Sequence, residues 1–284
     1  MEGTGMDQML EDYGVAIVDF NEGSTVSYPQ GHTAKEFFLA KPVQETDALI
    51  NLCKMKTHAL ERVTGGVKNL YGCISGLHKA KGHTKYTNAD IFARQLIDLN
   101  QLIKPRFCVM DGIVAMDGNG PTSGDPVKMK VLLLGNDPVA IDSVYCHLVH
   151  LDPQMVPTNV HGETMGLGTW REENIRLLTD GGEITMQEAV ERFGNPDFNV
   201  DRKKQRGNLW NRFNNGFLRY FQKKPYIEAD KCKKCGICVE ACPVEGKALQ
   251  FKNGRRKPPV YNYHKCIRCF CCQEMCPHKA IQVK

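Results

Sequence analysis

No apolar run in the sequence approaches the roughly 18 residues that a membrane-crossing helix needs, so no span is expected. The first residues, MEGTGMDQMLEDYG, carry neither a basic stretch nor an apolar one, so no signal peptide is expected either. The G-x-x-x-x-G-K-[ST] spacing is absent, which argues against a Walker-type phosphate loop. No G-x-G-x-x-G turn follows a strand, so no flavin or dinucleotide fingerprint is present. Acidic side chains are missing from residues 202–225, which hold eight Lys and Arg. Residues 1–201 hold 17 basic against 27 acidic side chains, and residues 226–284 hold 12 against 5. The formal net charge of +5 therefore hides regions of −10, +8 and +7. No nucleic-acid motif accompanies the positive charge, so the basic stretch is expected to dock on the chain's own acidic region.

Cysteine, by contrast, is plentiful. Eight of the 13 cysteines fall in two copies of C-x2-C-x2-C-x3-C-P: Cys232, Cys235, Cys238, Cys242 with Pro243, and Cys266, Cys269, Cys272, Cys276 with Pro277. Such a loop can aim three thiolates at one iron–sulfur cube. Zinc sites use separated C-x2-C pairs, whereas each run here is unbroken and ends in proline. Thiols committed to clusters point to a reducing, cytoplasmic compartment rather than a disulfide framework. YIEADKCKKCGICVEACPVEGKALQF also aligns with VYNYHKCIRCFCCQEMCPHKAIQV as an internal repeat. Each half reads as strand, cluster loop, short helix and strand, so a pseudo-twofold α+β module is expected. Its few apolar residues make a weak core that bound clusters would cross-link.

Residues 226–284 thus resemble the bacterial two-[4Fe–4S] ferredoxin. The resemblance implies two [4Fe–4S] clusters with crossed ligands. One would take Cys232, Cys235, Cys238 and Cys276; the other would take Cys266, Cys269, Cys272 and Cys242. Cys271 stands outside the pattern, where the first copy has Ile237, and is read as a spare thiol. Cys53, Cys73, Cys108 and Cys146 sit in or beside apolar segments and are read as buried small hydrophobes.

Residues 1–200 alternate strand-like and helix-like segments, the pattern of a three-layer α/β domain with a mostly parallel sheet. GVAIVDF (14–20), ALINLCKMK (48–56), FCVMDGIVAM (107–116) and KVLLLG (130–135) read as strands. Residues 88–104 place Ile91, Phe92, Leu96, Leu99 and Ile103 at helical intervals and stop before Pro105. Asp137 and Pro138 mark another helix start, N-cap and first position. Residues 201–225 form a basic connection, in which Trp210, Phe213, Phe217 and Tyr220 trace an amphipathic stripe. That stripe is expected to clamp the two domains together.

The large domain has two chemical constellations. A strand delivers Lys56 and His58, followed by Thr64-Gly65-Gly66, Lys68 and Asn69, then Gly72, Gly76, His78 and His83. Paired glycines let backbone N–H groups approach an anion, and Lys68 adds a point charge. The second set is Asp111, Asp117, Asn119, Gly120-Pro121, Asp137 and Asp142, at strand ends where α/β folds bind ligands. Asp111 and Asp117 are the stronger ligand candidates of this set, and catalytic candidates overall are Lys56, His58, Lys68, His83 and Asp111. KMKTH…VTGGVKNLYG, DGIVAMDGNGP and NDPVAIDSV together resemble the family known as domain of unknown function 362, whose members often end in a two-cluster ferredoxin module. The resemblance also implies an additional N-terminal α/β region before MLEDYGVAIVDF; either this chain lacks it or the real start lies upstream. Three functions follow. In the first, two clusters pass single electrons to or from a site in the α/β domain, as an oxidoreductase or a component of one; an anionic small molecule could occupy that site. The others are a carrier serving an acidic redox partner protein, and a redox-sensing scaffold.

Overall fold

The computed structural model describes residues 6–75, 78–86, 88–203, 223–252 and 254–283. The amphipathic stripe of Trp210, Phe213, Phe217 and Tyr220, and Gly76, lie outside these. In chain order the large region runs α1 (Met6–Asp12), β1 (Gly23–Ser27), β2 (Glu36–Ala40), α2 (Lys41–Glu45), β3 (Ile50–His58), β4 (Arg62–Thr64), α3 (Gly66–Asn69), α4 (His78–Lys85) and α5 (Ala89–Ile103). It continues with β5 (Phe107–Asp117), β6 (Asp125–Val127), β7 (Val131–Gly135), α6 (Pro138–Leu148), α7 (Pro157–Thr164), β8 (Leu177–Thr179), β9 (Gly182–Ile184) and α8 (Met186–Phe193).

The class is α/β, but the central sheet is mixed rather than mostly parallel. Among the described residues of this sheet only β3 and β5 pair in parallel; β4 joins β3, and β6 and β7 join β5, all antiparallel. The reason is local. KVLLLG follows β5 too closely for a helical crossover, so it returns as an antiparallel neighbour. Alternation along β3 buries Cys53 and Met55 and exposes Ile50 and Leu52. The buried face meets Ile141, Val144, Tyr145 and Leu148 of α6 in one core. The opposite face leaves Ile50, Leu52, Leu132 and Leu134 exposed.

Both predicted helices form. Asn88 caps α5 through its side-chain oxygen, and Lys104 ends it at φ 51° ahead of Pro105. Asp137 caps α6 by accepting from the Val139 and Ala140 N–H groups. The expected strand at 14–20 does not form: residues 15–20 are irregular, with Val15, Ile17 and Val18 exposed. A strand needs a partner edge, and none among the described residues reaches it.

The C-terminal region runs β10 (Pro225–Ile227), α9 (Ile237–Glu240), β11 (Leu249–Gln250), β12 (Val260–Tyr261), α10 (Cys271–Glu274) and β13 (Ile281–Val283). β10 pairs with β13 and β11 with β12, so each ribbon takes one strand from each repeat. The two repeats thereby share one interior, with Cys238, Leu249, Cys272 and Ile281 in a single buried cluster.

Candidate functional site

Both cysteine loops use the same backbone device. Lys234 and Gly236 take left-handed φ angles of 57° and 91°, and their counterparts Arg268 and Phe270 take 58° and 61°. These reversals wrap each loop around its own centre. Two cavities result. One is lined by Cys232, Cys235, Cys238 and Cys276; the other is lined by Cys242, Cys266, Cys269 and Cys272. Each set combines three cysteines of one loop with the last cysteine of the other. Among the described residues no three His, Cys, Asp or Glu side chains converge on a single-ion position.

Burial disfavours the thiolate form of these cysteines. Burial, with Cys276, Cys232 and Cys235 close by, pushes Cys238 up to about 11. Burial likewise raises Cys266 and Cys272. Four thiolates in so enclosed a space need a cationic core, which the irons of a [4Fe–4S] cube supply. The donor set and the cavities fit such a group. Donors are also in place for the thiolates: the Ala248 N–H reaches Cys242 Sγ at 3.3 Å, and the equivalent Ala280 N–H reaches Cys276 Sγ at 3.4 Å. The Tyr261 hydroxyl lies 3.2 Å from Cys272 Sγ. Cys271 lines neither cavity; its buried thiol is in a hydrogen bond with Cys269.

The large domain meets the second loop directly. Its loop after β5 is held against β3, where the Gly120 N–H donates to Thr57 and a Cβ on Gly120 would lie 2.2 Å from the Thr57 carbonyl oxygen. From there the Asn119 and Gly120 carbonyls accept from the fully buried Gln273 amide at 2.9 and 3.0 Å. Thr122 donates to the Glu274 carbonyl at 2.9 Å, and Asn119 donates to the Ile281 carbonyl at 3.0 Å.

At the end of β3, His58 Nδ1 accepts from the Leu60 and Glu61 N–H groups, each at 3.1 Å. Nε2 therefore carries the proton and donates to the Glu274 carboxylate at 2.9 Å. Burial, reinforced by Lys68, lowers His58 to about 4, so the ring is neutral near pH 7. Burial, then Lys68, also lowers Lys56; burial and Lys68 lower Lys79. Beneath them lies Glu61, fully buried with both carboxylate oxygens lacking a hydrogen-bond partner, and burial raises it to about 8.

Lys56, His58 and Lys68 thus come together as the spacing implied, but three expectations change. The N–H groups of the Gly65-Gly66 turn do meet a carboxyl group, and it is the chain's own Asp142. Its carboxylate accepts from the Gly66 N–H at 2.5 Å and the Val67 N–H at 3.1 Å, and a Cβ on Gly65 would lie 2.0 Å from it. Asp111 does not close a strand. β5 continues past it to Asp117, and Asp111 is half-exposed and pairs with Lys54 at 2.6 Å. Asp117 accepts from the Asn199 N–H at 2.7 Å and so fixes a neighbouring segment. His83 lies within α4, its side chain outside the described residues. Sequence reasoning missed Glu61, Lys79, Gln273 and Glu274. For Gln273 a signal existed: the first repeat has Val239 in its place, and a polar residue at a core position calls for a partner.

Comparison with known proteins finds two family matches. Residues 1–147 match the family described as Domain of unknown function (DUF362). Residues 224–277 match the 4Fe-4S dicluster domain. A thylakoid-associated protein of Synechocystis sp. is 35% identical over 186 residues, which cover 65% of this chain and 57% of that protein. No solved structure matches. Because the first match spans just over half of its length, the chain belongs to the DUF362 family, and it carries at its C-terminus a 4Fe-4S dicluster domain that takes two [4Fe–4S] clusters.

Proposed function

We propose that the protein passes single electrons between a redox partner and the Lys56–His58–Lys68 site of its α/β domain. In this reading residues 1–200 form the α/β domain, residues 201–225 a basic connection and residues 226–284 the ferredoxin-type domain. Cys232, Cys235, Cys238 and Cys276 hold one cluster; Cys266, Cys269, Cys272 and Cys242 hold the other. Each cluster, when bound, takes up or releases one electron. Cys238 and Cys272 share one apolar cluster, so the two sites are neighbours.

The observation that carries the reading is the hydrogen bond from His58 to Glu274, two residues beyond Cys272. It ties the second cluster loop to a group of lysines whose charges repel one another. An anionic small molecule gaining negative charge would find Lys56, Lys68 and Lys79 there. The carrier reading has one observation in its favour: Asp142 already holds the N–H groups of the glycine turn. In that reading the α/β domain positions the clusters for an acidic partner. We place the protein in the cytoplasm, where thiol-ligated clusters persist. No helix among the described residues is long and apolar enough to cross a membrane. Association with a thylakoid, which the relative's name states for that protein, would then be through surface contact.

Iron and sulfide analysis with an anaerobic redox titration followed by EPR tests the proposal. Two cubes require about eight iron and eight sulfide per chain. His58→Ala is expected to move the potential of the cluster beside Glu274 and leave the other unchanged. Colourless, zinc-containing protein ends the cluster assignment. A His58→Ala titration that superimposes on the wild type ends the coupling to the large domain.

A further inference from the structure

We infer that a basic groove on the outer side of the cluster module is the docking surface for an acidic one-electron carrier protein, an inference that rests on the electron-transfer reading above. The groove encloses about 590 Å³ beside β11 and β12. Lys224, Lys247, Lys252, Lys265 and Arg268 line it, and none of its lining residues is acidic. It shares no residue with the face that Gln273, Glu274 and Ile281 present to the α/β domain. The module therefore has one face turned inward and a separate, positively charged face turned outward.

Three features connect this groove to electron exchange. Tyr261 forms a wall of both the groove and the cavity of Cys242, Cys266, Cys269 and Cys272. Its hydroxyl touches Cys272 Sγ, so a single side chain separates the groove from the ligand shell. Tyr263 stacks on Tyr261 with ring centroids 5.4 Å apart and planes 14° apart, and Lys224 sits 5.3 Å above Tyr263. The pair offers a flat apolar centre with cations around it. Lys247 places its ammonium on the Cys242 and Glu240 carbonyls, at 2.6 and 3.0 Å, which holds positive charge beside the same cavity.

The occupant follows from the chemistry of the rim. Lys252 and Lys265 are exposed, and none of the groove's five cationic residues is fully buried, as a charge that orients a small ligand would be. Long cationic side chains spread round an open surface instead complement the scattered carboxylates of an acidic protein. They speed encounter by steering it. In each encounter one electron leaves one protein's centre and enters the other's, with no bond made or broken.

Flavodoxin, an acidic protein whose flavin accepts electrons singly, serves as the probe, with ferricyanide as a small acceptor that needs no docking. Reduced holo-protein is mixed with each in a stopped-flow instrument at low and high salt. The double variant Lys252→Glu/Lys265→Glu is expected to reduce flavodoxin about tenfold more slowly at low salt, with the difference shrinking at high salt. Lys257→Glu, an exposed charge reversal outside the groove, should stay within about twofold of the wild type. Iron content and EPR of each variant report that the clusters are intact. An unchanged rate in the double variant, or an equal loss in Lys257→Glu, overturns the docking surface. Failure of wild type to reduce flavodoxin while ferricyanide is reduced also overturns it, and leaves the electron-transfer reading standing. If the reduced protein passes electrons to neither acceptor, that reading falls as well.

Discussion

Tyr261 and Glu61 show how much chemistry single side chains hold here. A hydroxyl beside Cys272 Sγ favours the more negative, reduced state of whatever that sulfur ligates. Tyr261→Phe is therefore expected to lower the potential of the cluster in that cavity and leave the other unmoved, as followed by EPR-monitored titration. Equal shifts in both clusters would remove the hydroxyl from this role. Glu61 affects stability. Burial raises it to about 8 from an ordinary value of 4.5, so the folded chain keeps a proton that the unfolded chain releases. Its contribution falls as pH rises from about 4.5 to 8. Asp142, raised to about 7, acts in the same direction, whereas His58, lowered to about 4, adds stability as pH rises from 4 to 6.5. The difference between Glu61→Gln and wild type isolates one group. The variant should gain up to about 3 kcal/mol on wild type between pH 5 and pH 8. Denaturant unfolding that gives a pH-independent difference would contradict this.

Helix α10 has become an interface where its counterpart α9 is a plain core element. Gln273 occupies the place of Val239 and spends its amide on the Asn119 and Gly120 carbonyls. Gln273→Val, which restores the residue of the other repeat, should leave those buried acceptors unpaired at a cost of about 1–3 kcal/mol. Hydrogen exchange in residues 118–124 is expected to rise, with the cluster content unchanged. Unaltered exchange there would mean that the loop holds its position without α10. Strands β3 and β5 and helices α5 and α6 were legible from apolar periodicity and caps, because those signals depend on near neighbours in the chain. The strand at 14–20 was misread for the complementary reason: its apolar pattern is real, but pairing depends on an edge elsewhere.

For the molecule as a whole, the two regions differ in how they are stabilised. The α/β region has large buried clusters around Tyr145 and Phe92. The C-terminal region has only small ones, and cysteines make up part of them. Removing iron by chelation under reducing conditions should therefore unfold the C-terminal region and spare the other. Limited proteolysis is expected to cut after residue 223 first, while residues 23–200 persist. Simultaneous loss of both regions would show that they fold as one unit. The sequence alone determined the ligand chemistry, since cluster loops are short and their spacing is the geometry. It also located Lys56, His58 and Lys68 on one short stretch. Tertiary structure assigned Asp142 to the glycine turn, paired Asp111 with Lys54 and set His58 against Glu274. These contacts join residues 57 to 216 positions apart, and no local pattern encodes such distances.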